Sequence, residues 1–219
     1  DLSLMLNNNK IYFDCAFIMI HGNPGENGKI PAYLDMLNIP YTCSNMLTSA
    51  ITFKKSYCKK LLEDINIKTP KGITIKKHQK YNINDIINII KFPCIIKPDE
   101  GGSSFGTSIA NNEQELISSI NNGFNYDNHL LIEELIKGRE LTNGILKFKS
   151  NIIKLPVTEI ITKHSFFDSS AKYNFIENNE IITQEITPAN IPEDIENKCK
   201  DLSEKIYNHL NCNGVCRID

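Results

Sequence analysis

Short, nearly continuous apolar runs separated by turn residues mark much of the chain. The clearest are Ile11–Ile20, Phe92–Ile96, Leu130–Ile136 and Lys154–Ile161. Runs of this length that are rich in isoleucine and bounded by Gly, Pro or charged residues are typical of buried β-strands. Ile11–Ile20 lacks regular polar alternation, which predicts a strand of a parallel sheet covered on both faces.

Apolar residues at helical spacing lie between these runs. They predict helices at Ala32–Leu37, Ser44–Asp64, Asn84–Ile90, Asn112–Asn121 and Glu193–Leu210. In the last helix the core-facing stripe should comprise Ile195, Cys199, Leu202, Ile206 and Leu210. Extended segments are also predicted at Ile39–Thr42, Ile67–Ile75 and 214–219. Strands that alternate with helices indicate a mixed α/β (α+β) chain.

Four lysines, Lys54, Lys55, Lys59 and Lys60, fall within the helical segment Ser44–Asp64. Thr48 is the predicted N-cap of the lysine-rich part, Phe53–Leu62, because a hydroxyl can accept a hydrogen bond from a first-turn backbone N–H. Lysines at this density normally form a solvated helix face, and we expect most of them to do so.

The composition excludes several classes of protein. The 219 residues are 41% hydrophobic and 23% charged, with a formal net charge of −2, so nucleic acid is not the expected partner. No apolar run reaches the length of a membrane span, and residues 1–10 do not resemble a signal peptide. Seven cysteines without CxxC pairs indicate reduced thiols and a cytoplasmic location.

The stretch after the central apolar run carries the strongest chemical signal. Lys97 follows Phe92–Ile96 and precedes Gly101-Gly102-Ser103-Ser104-Phe105-Gly106. Glycines let backbone N–H groups turn toward a phosphate, and a lysine beside them supplies the charge. The spacing matches neither a P-loop nor a Rossmann fingerprint. Taken alone, these residues fit a nucleotide-binding loop and a flexible surface hairpin equally well.

Two further loops stand out. His21–Gly28 is a glycine-rich loop after the first predicted strand, where α/β sheets often bind ligands, although a tight turn is the commoner explanation. Thr162–Asn179 is polar, aromatic and longer than an ordinary connection. Connections of that length are commonly lids or binding loops.

Seven segments together resemble the D-alanine–D-alanine ligases of the ATP-grasp superfamily. They are HGNPGENG, IPYT, FPCIIKP, GGSSFGTS, LLIEELIKGRE, FFDSSAKY and GVCRID, in the family's order and near its spacings. The resemblance implies an ATP-grasp fold joined to the remainder of an N-terminal α/β domain. It implies three parts: 1–43 from the N-terminal substrate domain, 44–133 as the small ATP-grasp subdomain, and 134–219 as a truncated large subdomain.

The resemblance also implies a nucleotide site. Lys55 and Lys97 match the two lysines that grip the ATP phosphates. Glu140 matches the carboxylate that holds the ribose hydroxyls. The remaining cofactor-binding positions implied are Ser103 and Ser104 in the phosphate loop, Glu133, Glu134, Leu135 and Ile136 beside the adenine, and Lys172 in the mobile loop. Glu134 is equally compatible with a solvated side chain.

Catalytic roles follow from the same resemblance. Ser103, Lys172, Tyr173 and Arg217 are the catalytic candidates implied, and Arg217 would stabilise a tetrahedral oxyanion. Glu26, Tyr173 and Arg217 are the implied substrate contacts. Asp219 matches the first metal-binding carboxylate, for Mg²⁺ or Mn²⁺. Lys172 and Tyr173 remain compatible with ordinary loop residues.

The implied activity is ATP-dependent ligation of two D-alanines through an acyl phosphate, for peptidoglycan precursors. A homodimer is the family expectation. The chain departs from the family's pattern at Asn27, Pro31-Ala32, Phe167 and Ser169. The family segments expected before Asp1 and after Asp219 are absent, so we expect an internal fragment that is inactive by itself. The alternatives are another ATP-grasp carboxylate–amine ligase and an inactive nucleotide-binding remnant.

Overall fold

The computed structural model describes residues 4–102, 104–162, 176–177, 180–181 and 183–219. The first part of the chain contains a small antiparallel hairpin followed by three helices. These elements are β1 (Leu4–Leu6), β2 (Asn9–Ile11), α1 (Lys29–Met36), α2 (Met46–Phe53) and α3 (Lys55–Asp64). Residues 12–28 between the hairpin and α1 contain no helix and no strand longer than a single bridge.

The first four-stranded sheet and two helices form one hydrophobic core. The elements are β3 (Gly72–Lys76), α4 (Ile83–Ile89), β4 (Cys94–Pro98), β5 (Ser108–Ala110), α5 (Glu113–Gly123) and β6 (His129–Glu134). The strands are antiparallel in the order β3-β6-β4-β5. Alternate strand residues such as Ile96 and Ile132 face Ile86 of α4 and Leu116 of α5. Because this face is fully covered, the polar side chains concentrate on the other face and at the strand ends.

A second four-stranded sheet and a long helix form the other core. The elements are β7 (Glu140–Phe148), β8 (Asn151–Thr162), β9 (Ile176–Glu177), β10 (Glu180–Ile181), β11 (Thr183–Ile186), α6 (Glu193–His209) and β12 (Val215–Ile218). The sheet order is β11-β8-β7-β12, and β9 and β10 pair separately. Ile145 and Tyr207 are central to this core, which also receives Cys58, Leu61 and Leu62 from α3. One face of α3 therefore packs on the second sheet.

The N-terminal apolar run is not the buried strand that the sequence predicts. β2 ends at Ile11, and the side chains of Tyr12, Phe17 and Met19 are 82%, 74% and 76% exposed. Ala16 makes a single parallel bridge to Tyr41. An apolar strand without polar alternation is buried only when both faces are covered. The described residues supply one bridge at one edge, so the apolar side chains remain exposed.

The segment Ser44–Asp64 forms two helices rather than one. The break is at Lys54, whose extended backbone (φ −92°, ψ 99°) forms a bridge to Glu100. The predicted N-cap is also wrong. Asn45 is the N-cap of α2, and its side-chain oxygen accepts a hydrogen bond from the backbone N–H of Thr48 at 2.9 Å. The Thr48 hydroxyl instead donates to the carbonyl of Leu210 at 2.9 Å, which joins α2 to the end of α6.

The predicted stripe of α6 is correct in part. Leu210 is buried, Ile206 packs against the second core and Cys199 is half-buried, whereas Ile195 and Leu202 are 37% and 39% exposed. Ser203 and Tyr207, which are not in the predicted stripe, are buried as well. Tyr207 can be buried because its hydroxyl donates to the carbonyl of Gly214 at 2.9 Å.

The remaining predicted elements agree with the structure. The predicted helices near Asn84, Asn112 and Glu193 are α4, α5 and α6, and the central apolar runs are β4, β6 and β8. Most of the predicted loop Thr162–Asn179 lies outside the described residues. Across the described ranges, no helix has both the length and the apolar character needed to cross a membrane. The proposed division at 43/44 and 133/134 stays a prediction.

Candidate active site

The start of α3 is held by the segment that leads into the Gly101–Gly106 loop. The carboxylate of Asp99 is fully buried and accepts hydrogen bonds from the backbone N–H and the hydroxyl of Ser56, both at 2.7 Å. The backbone N–H of Lys55 donates to the carbonyl of Asp99 at 2.9 Å. Asp99 therefore caps α3 from 43 residues away in sequence.

Lys55 points its ammonium group at the base of the same loop. Its Nζ donates to the carbonyl oxygens of Pro98 and Gly101, each at 2.9 Å. Burial lowers the pKa of Lys55, and the nearby charge of Lys97 acts in the same direction. The structure thus brings the two predicted phosphate-binding lysines together, one from α3 and one from β4.

Lys97 shares a buried carboxylate with a second lysine of α3. Its Nζ lies 2.9 Å from Oε2 of Glu133, while Lys59 hydrogen-bonds Oε1 of the same carboxylate. Lys59 also donates to the carbonyl of Pro70 at 2.6 Å. The expectation that most lysines of the segment Ser44–Asp64 are solvated is therefore wrong. Besides Lys55 and Lys59, Lys54 also has a protein partner, Glu100 at 2.8 Å, and Lys60 is the exposed one of the four.

The glycine-rich loop adopts backbone conformations that require glycine. Gly101 and Gly106 have φ of 118° and 72°, and a Cβ on Gly106 would lie 2.7 Å from the Tyr126 ring. Ser104 also has a positive φ of 57°. An ideal Cβ on Gly102 would lie 3.7 Å from Oε2 of Glu26, so the predicted D-alanine contact lies beside this loop.

Glu26 is oriented by its own turn. Its Oε2 accepts a hydrogen bond from the backbone N–H of Gly22 at 2.5 Å, and Oε1 lies 3.8 Å from Nδ1 of His21. The His21–Gly28 loop is thus brought to the Gly101–Gly106 loop, although the two are far apart in sequence. An exposed carboxylate held in this way can accept an ammonium group from a small substrate.

The predicted adenine segment runs from the end of β6 into the connection to the second sheet. The backbone N–H of Glu134 donates to the carbonyl of Lys71 at 3.0 Å, and that of Leu135 to Pro93 at 3.3 Å. The Glu134 side chain accepts the N–H of Lys71 at 2.7 Å, so it is not simply solvated. Ile136 is 63% exposed. In this segment the N–H groups of Glu134 and Leu135 already have protein partners.

The second sheet begins with the predicted ribose carboxylate. Glu140 is exposed and is the first residue of β7. Its neighbour Arg139 forms two 2.6 Å hydrogen bonds to Glu159 and a third, of 2.8 Å, to the carbonyl of Asn190. The Arg139 guanidinium lowers the pKa of Glu159. This planar, two-bond pair fixes the backbone that leads into Glu140.

Arg217 and Asp219 share one face at the end of the described chain. Arg217 on β12 is exposed, and its Nε lies 3.0 Å from Oδ1 of Asp219. Across the described ranges, no three His, Cys, Asp or Glu side chains lie close enough together to hold a metal ion. Mg²⁺ that is bound mainly by water and nucleotide phosphates needs only one or two carboxylates, and Asp219 supplies one. The residue present therefore fits such an ion.

Three predicted site residues, Ser103, Lys172 and Tyr173, lie outside the described residues. Conversely, the sequence interpretation missed Lys59, Asp99 and Arg139. For Lys59 a signal exists, because it follows Lys55 by four residues and therefore lies on the same helix face. Asp99 and Arg139 carry no local signal, since each acts on a partner distant in sequence.

The fold and this arrangement of lysines, glycine-rich loop and carboxylates define an ATP-grasp protein, and solved ATP-grasp ligases have the same fold. The chain belongs to the family described as D-ala D-ala ligase C-terminus, whose model matches residues 61–219.

Two relatives that are similar to this chain are named D-alanine–D-alanine ligases. The chain is 40% identical over 219 residues to a D-alanine–D-alanine ligase of Phocaeicola vulgatus, covering all of this chain and 66% of that protein. A ligase of the same name from Azobacteroides pseudotrichonymphae is also 40% identical, with the same coverage. The chain thus spans slightly under two thirds of the length of these relatives.

Two solved ligase structures have the same fold as this chain. The D-alanine–D-alanine ligase of Bacillus anthracis is 34% identical with a TM-score of 0.79, covering 94% of this chain and 64% of that one. VanG D-Ala:D-Ser ligase of Enterococcus faecalis is 30% identical with a TM-score of 0.82, covering 95% and 60%.

Proposed function

We propose that this chain forms the nucleotide-binding part of an ATP-dependent D-alanine–D-alanine ligase, an ADP-forming carbon–nitrogen ligase of peptidoglycan precursor synthesis. The observation that carries the proposal is the meeting of Lys55 and Lys97 near the base of the glycine-rich loop, with Glu26 beside Gly102 of that loop. Two cations there suit the phosphates of ATP, and the carboxylate suits the ammonium group of an amino acid.

The first chemical step transfers a phosphoryl group. The carboxylate of one D-alanine attacks the γ-phosphorus of ATP, the bond to the bridging oxygen breaks, and ADP leaves with its electron pair. Such transfers depend mainly on positioning and charge neutralisation. Lys55 and Lys97 neutralise the phosphate oxygens, Ser103 and Ser104 cover them, and Glu26 orients the ammonium group. Bound Mg²⁺ would add charge neutralisation at the phosphates, with Asp219 as a ligand.

The second step forms the peptide bond. The amine of a second D-alanine attacks the carbonyl carbon of the acyl phosphate, and inorganic phosphate leaves as the tetrahedral intermediate collapses. Arg217 is the proposed donor to the oxyanion, because a fixed cation stabilises charge that develops in the transition state. Lys172 and Tyr173 are proposed to belong to the loop that excludes water, since acyl phosphates hydrolyse readily.

The nucleotide base and ribose are assigned to the connection between the two sheets. Glu133 to Ile136 are proposed to flank the adenine, and Glu140 to accept hydrogen bonds from the ribose hydroxyls. The Arg139–Glu159 pair supports this assignment, because it fixes the backbone next to Glu140. A cytoplasmic location and a homodimeric assembly belong to the same proposal.

The test is ADP release from MgATP by the protein expressed from its complete reading frame. D-alanine, L-alanine, D-serine and D-lactate are supplied separately, and the products are identified by mass spectrometry. We expect release that depends on D-alanine, with a D-alanyl-D-alanine product. D-serine is included because one structural relative is named a D-Ala:D-Ser ligase. No release with any of the four would refute the proposal and favour a nucleotide-binding remnant or another acceptor.

A further inference from the structure

Glu133 is a buried carboxylate that holds two ammonium groups at once. Its side chain is only 4% exposed, and its two oxygens are bound separately, Oε1 by Lys59 and Oε2 by Lys97. The three residues come from three different elements, α3, β6 and β4. One negative charge thus faces two positive charges, so the cluster carries a net charge of +1 at neutral pH.

A carboxylate in this position needs a counter-ion. Removing an ionised group from water without a partner is costly, and breaking a buried ion pair by deleting one member leaves an uncompensated charge. Glu133 has two candidate counter-ions. If one lysine moves away, the other still neutralises the carboxylate.

The two lysines differ in how firmly they are held. Lys59 is 16% exposed and has a second fixed acceptor, the carbonyl of Pro70 at 2.6 Å. Its helix is anchored in the second core through Cys58, Leu61 and Leu62. Lys97 is 29% exposed, and within the described part of the chain its side chain hydrogen-bonds Glu133 alone. Lys97 is therefore the more easily displaced partner.

We propose that Lys59 is a positioning residue whose charge neutralises Glu133 and frees Lys97 to exchange that carboxylate for a nucleotide phosphate. The inference rests on the proposed nucleotide site, because it assigns the exchange to Lys97. The proposal assigns Lys59 no contact with the nucleotide. It acts through Glu133, and its effect on nucleotide binding depends on Lys97.

The consequence of removing Lys59 follows from the charges. In Lys59→Met, Lys97 becomes the sole counter-ion of Glu133, so drawing it to a phosphate would strand a buried carboxylate. We expect the Kd for MgADP, measured by calorimetry on the protein from its complete reading frame, to rise about tenfold, within the usual range of coupling between contacting residues. Lys59→Arg keeps the charge and should stay within about threefold of wild type. Lys60→Met, at the exposed neighbouring position of α3, is the matched control.

A double-mutant cycle separates positioning from a general structural role. If Lys59 acts through Lys97, then Lys59→Met should weaken MgADP binding by less than about twofold in a Lys97→Met/Glu133→Gln background, in which no buried carboxylate is left unpaired. An equal loss in both backgrounds would mean that Lys59 acts independently of Lys97, and would overturn the inference. Lys59→Gln, which keeps a hydrogen-bond donor without the charge, should repeat the Met result and serves if Lys59→Met folds poorly.

A second readout needs no nucleotide. Trace acetylation with acetic anhydride, quantified by mass spectrometry, reports how much of each lysine is unprotonated. In Lys59→Met or Lys59→Gln the acetylation of Lys97 should slow, because a sole carboxylate partner favours the charged ammonium. An unchanged or faster rate, with MgADP binding intact in wild type, overturns this inference alone. Wild-type protein that binds no MgADP overturns the proposed function and the phosphate exchange with it.

Discussion

Substitution of Asp99 by Ala tests whether the glycine-rich loop Gly101–Gly106 and α3 form one structural unit. The Asp99 carboxylate is fully buried and accepts two 2.7 Å hydrogen bonds from Ser56, one from the backbone N–H and one from the hydroxyl. It also lies 3.8 Å from the ammonium group of Lys54. The substitution removes all three interactions and leaves the first turn of α3 without a side-chain cap, because Lys54 at the N-cap position supplies none.

The expected loss of stability follows from these contacts. A hydrogen bond to a charged group contributes about 1.5–3 kcal/mol, and loss of a helix cap costs about 1 kcal/mol. Because both bonds of Asp99 end on one residue and overlap with the capping effect, we expect a total of about 3 kcal/mol. For a chain of this size each kcal/mol lowers the Tm by about 2–4 °C, so the Tm should fall by about 6–12 °C.

Thermal unfolding followed by far-UV circular dichroism measures this effect. Asp99→Asn keeps the shape and one acceptor oxygen, so it should lose about 1 kcal/mol. Glu100→Gln is the control, because Glu100 is half exposed and surface ion pairs contribute at most about 1 kcal/mol. A Tm of Asp99→Ala within about 2 °C of wild type would refute the capping argument, as would an equal loss in Glu100→Gln.

Three further substitutions test other parts of the site. Lys97→Ala should weaken MgATP binding in calorimetry about 10- to 100-fold with the fold retained. Unchanged binding would refute the assignment of Lys97 to the proposed nucleotide site. Gly106→Ala should lose about 2 kcal/mol or more in chemical denaturation, because of its positive φ and crowded Cβ, whereas Gly138→Ala, which meets open space, should change little. Arg139 lowers the pKa of Glu159, so this pair stabilises the fold above the ordinary carboxyl pKa of about 4.3 and ceases to do so as pH falls through the lowered value. The Tm difference between wild type and Arg139→Gln should therefore shrink between pH 7 and pH 3, and a constant difference would contradict that origin.

The sequence predicts the elements that are set by local pattern. The isoleucine runs of β4 and β6, the helices α4 and α5, and the long helix α6 all follow from apolar periodicity and caps such as Asn112, whose side chain accepts the N–H of Glu115. The glycine positions of the glycine-rich loop are likewise set by local conformational requirements. Gly101 and Gly106 have the positive φ angles that such a loop requires.

Features set by distant partners could not be predicted in this way. The helical pattern continues through Lys54, yet the bridge of Lys54 to Glu100 divides the segment into two helices. The burial of Tyr207 on α6 depends on its hydrogen bond to the loop before β12, which periodicity does not contain. The exposure of Phe17 likewise depends on which neighbouring elements cover its segment. The residues of the segment itself do not contain that information.

The lysines of α3 show why the site in particular is hidden from local pattern. Lys59 meets a carboxylate 74 residues away, and Ser56 meets one 43 residues away. Cys58 and Leu62 of the same helix pack into the second core. A helix that is charged on one face usually has water on that face. Around Ser56 and Lys59 the first sheet and its strand ends instead supply carboxylates and a carbonyl.

This placement of α3 has a consequence for nucleotide binding. Lys55 is bound to two loop carbonyls, and Lys97 to Glu133. A phosphate must therefore displace existing partners rather than find free cations. With Lys59 present, displacement at Lys97 leaves Glu133 paired, but without Lys59 it would strand a buried charge. Displacement at Lys55 releases only neutral carbonyls, which cost less to leave unpaired than a buried charge. Substitutions in the Glu133 cluster should therefore alter nucleotide affinity more than substitutions of loop side chains.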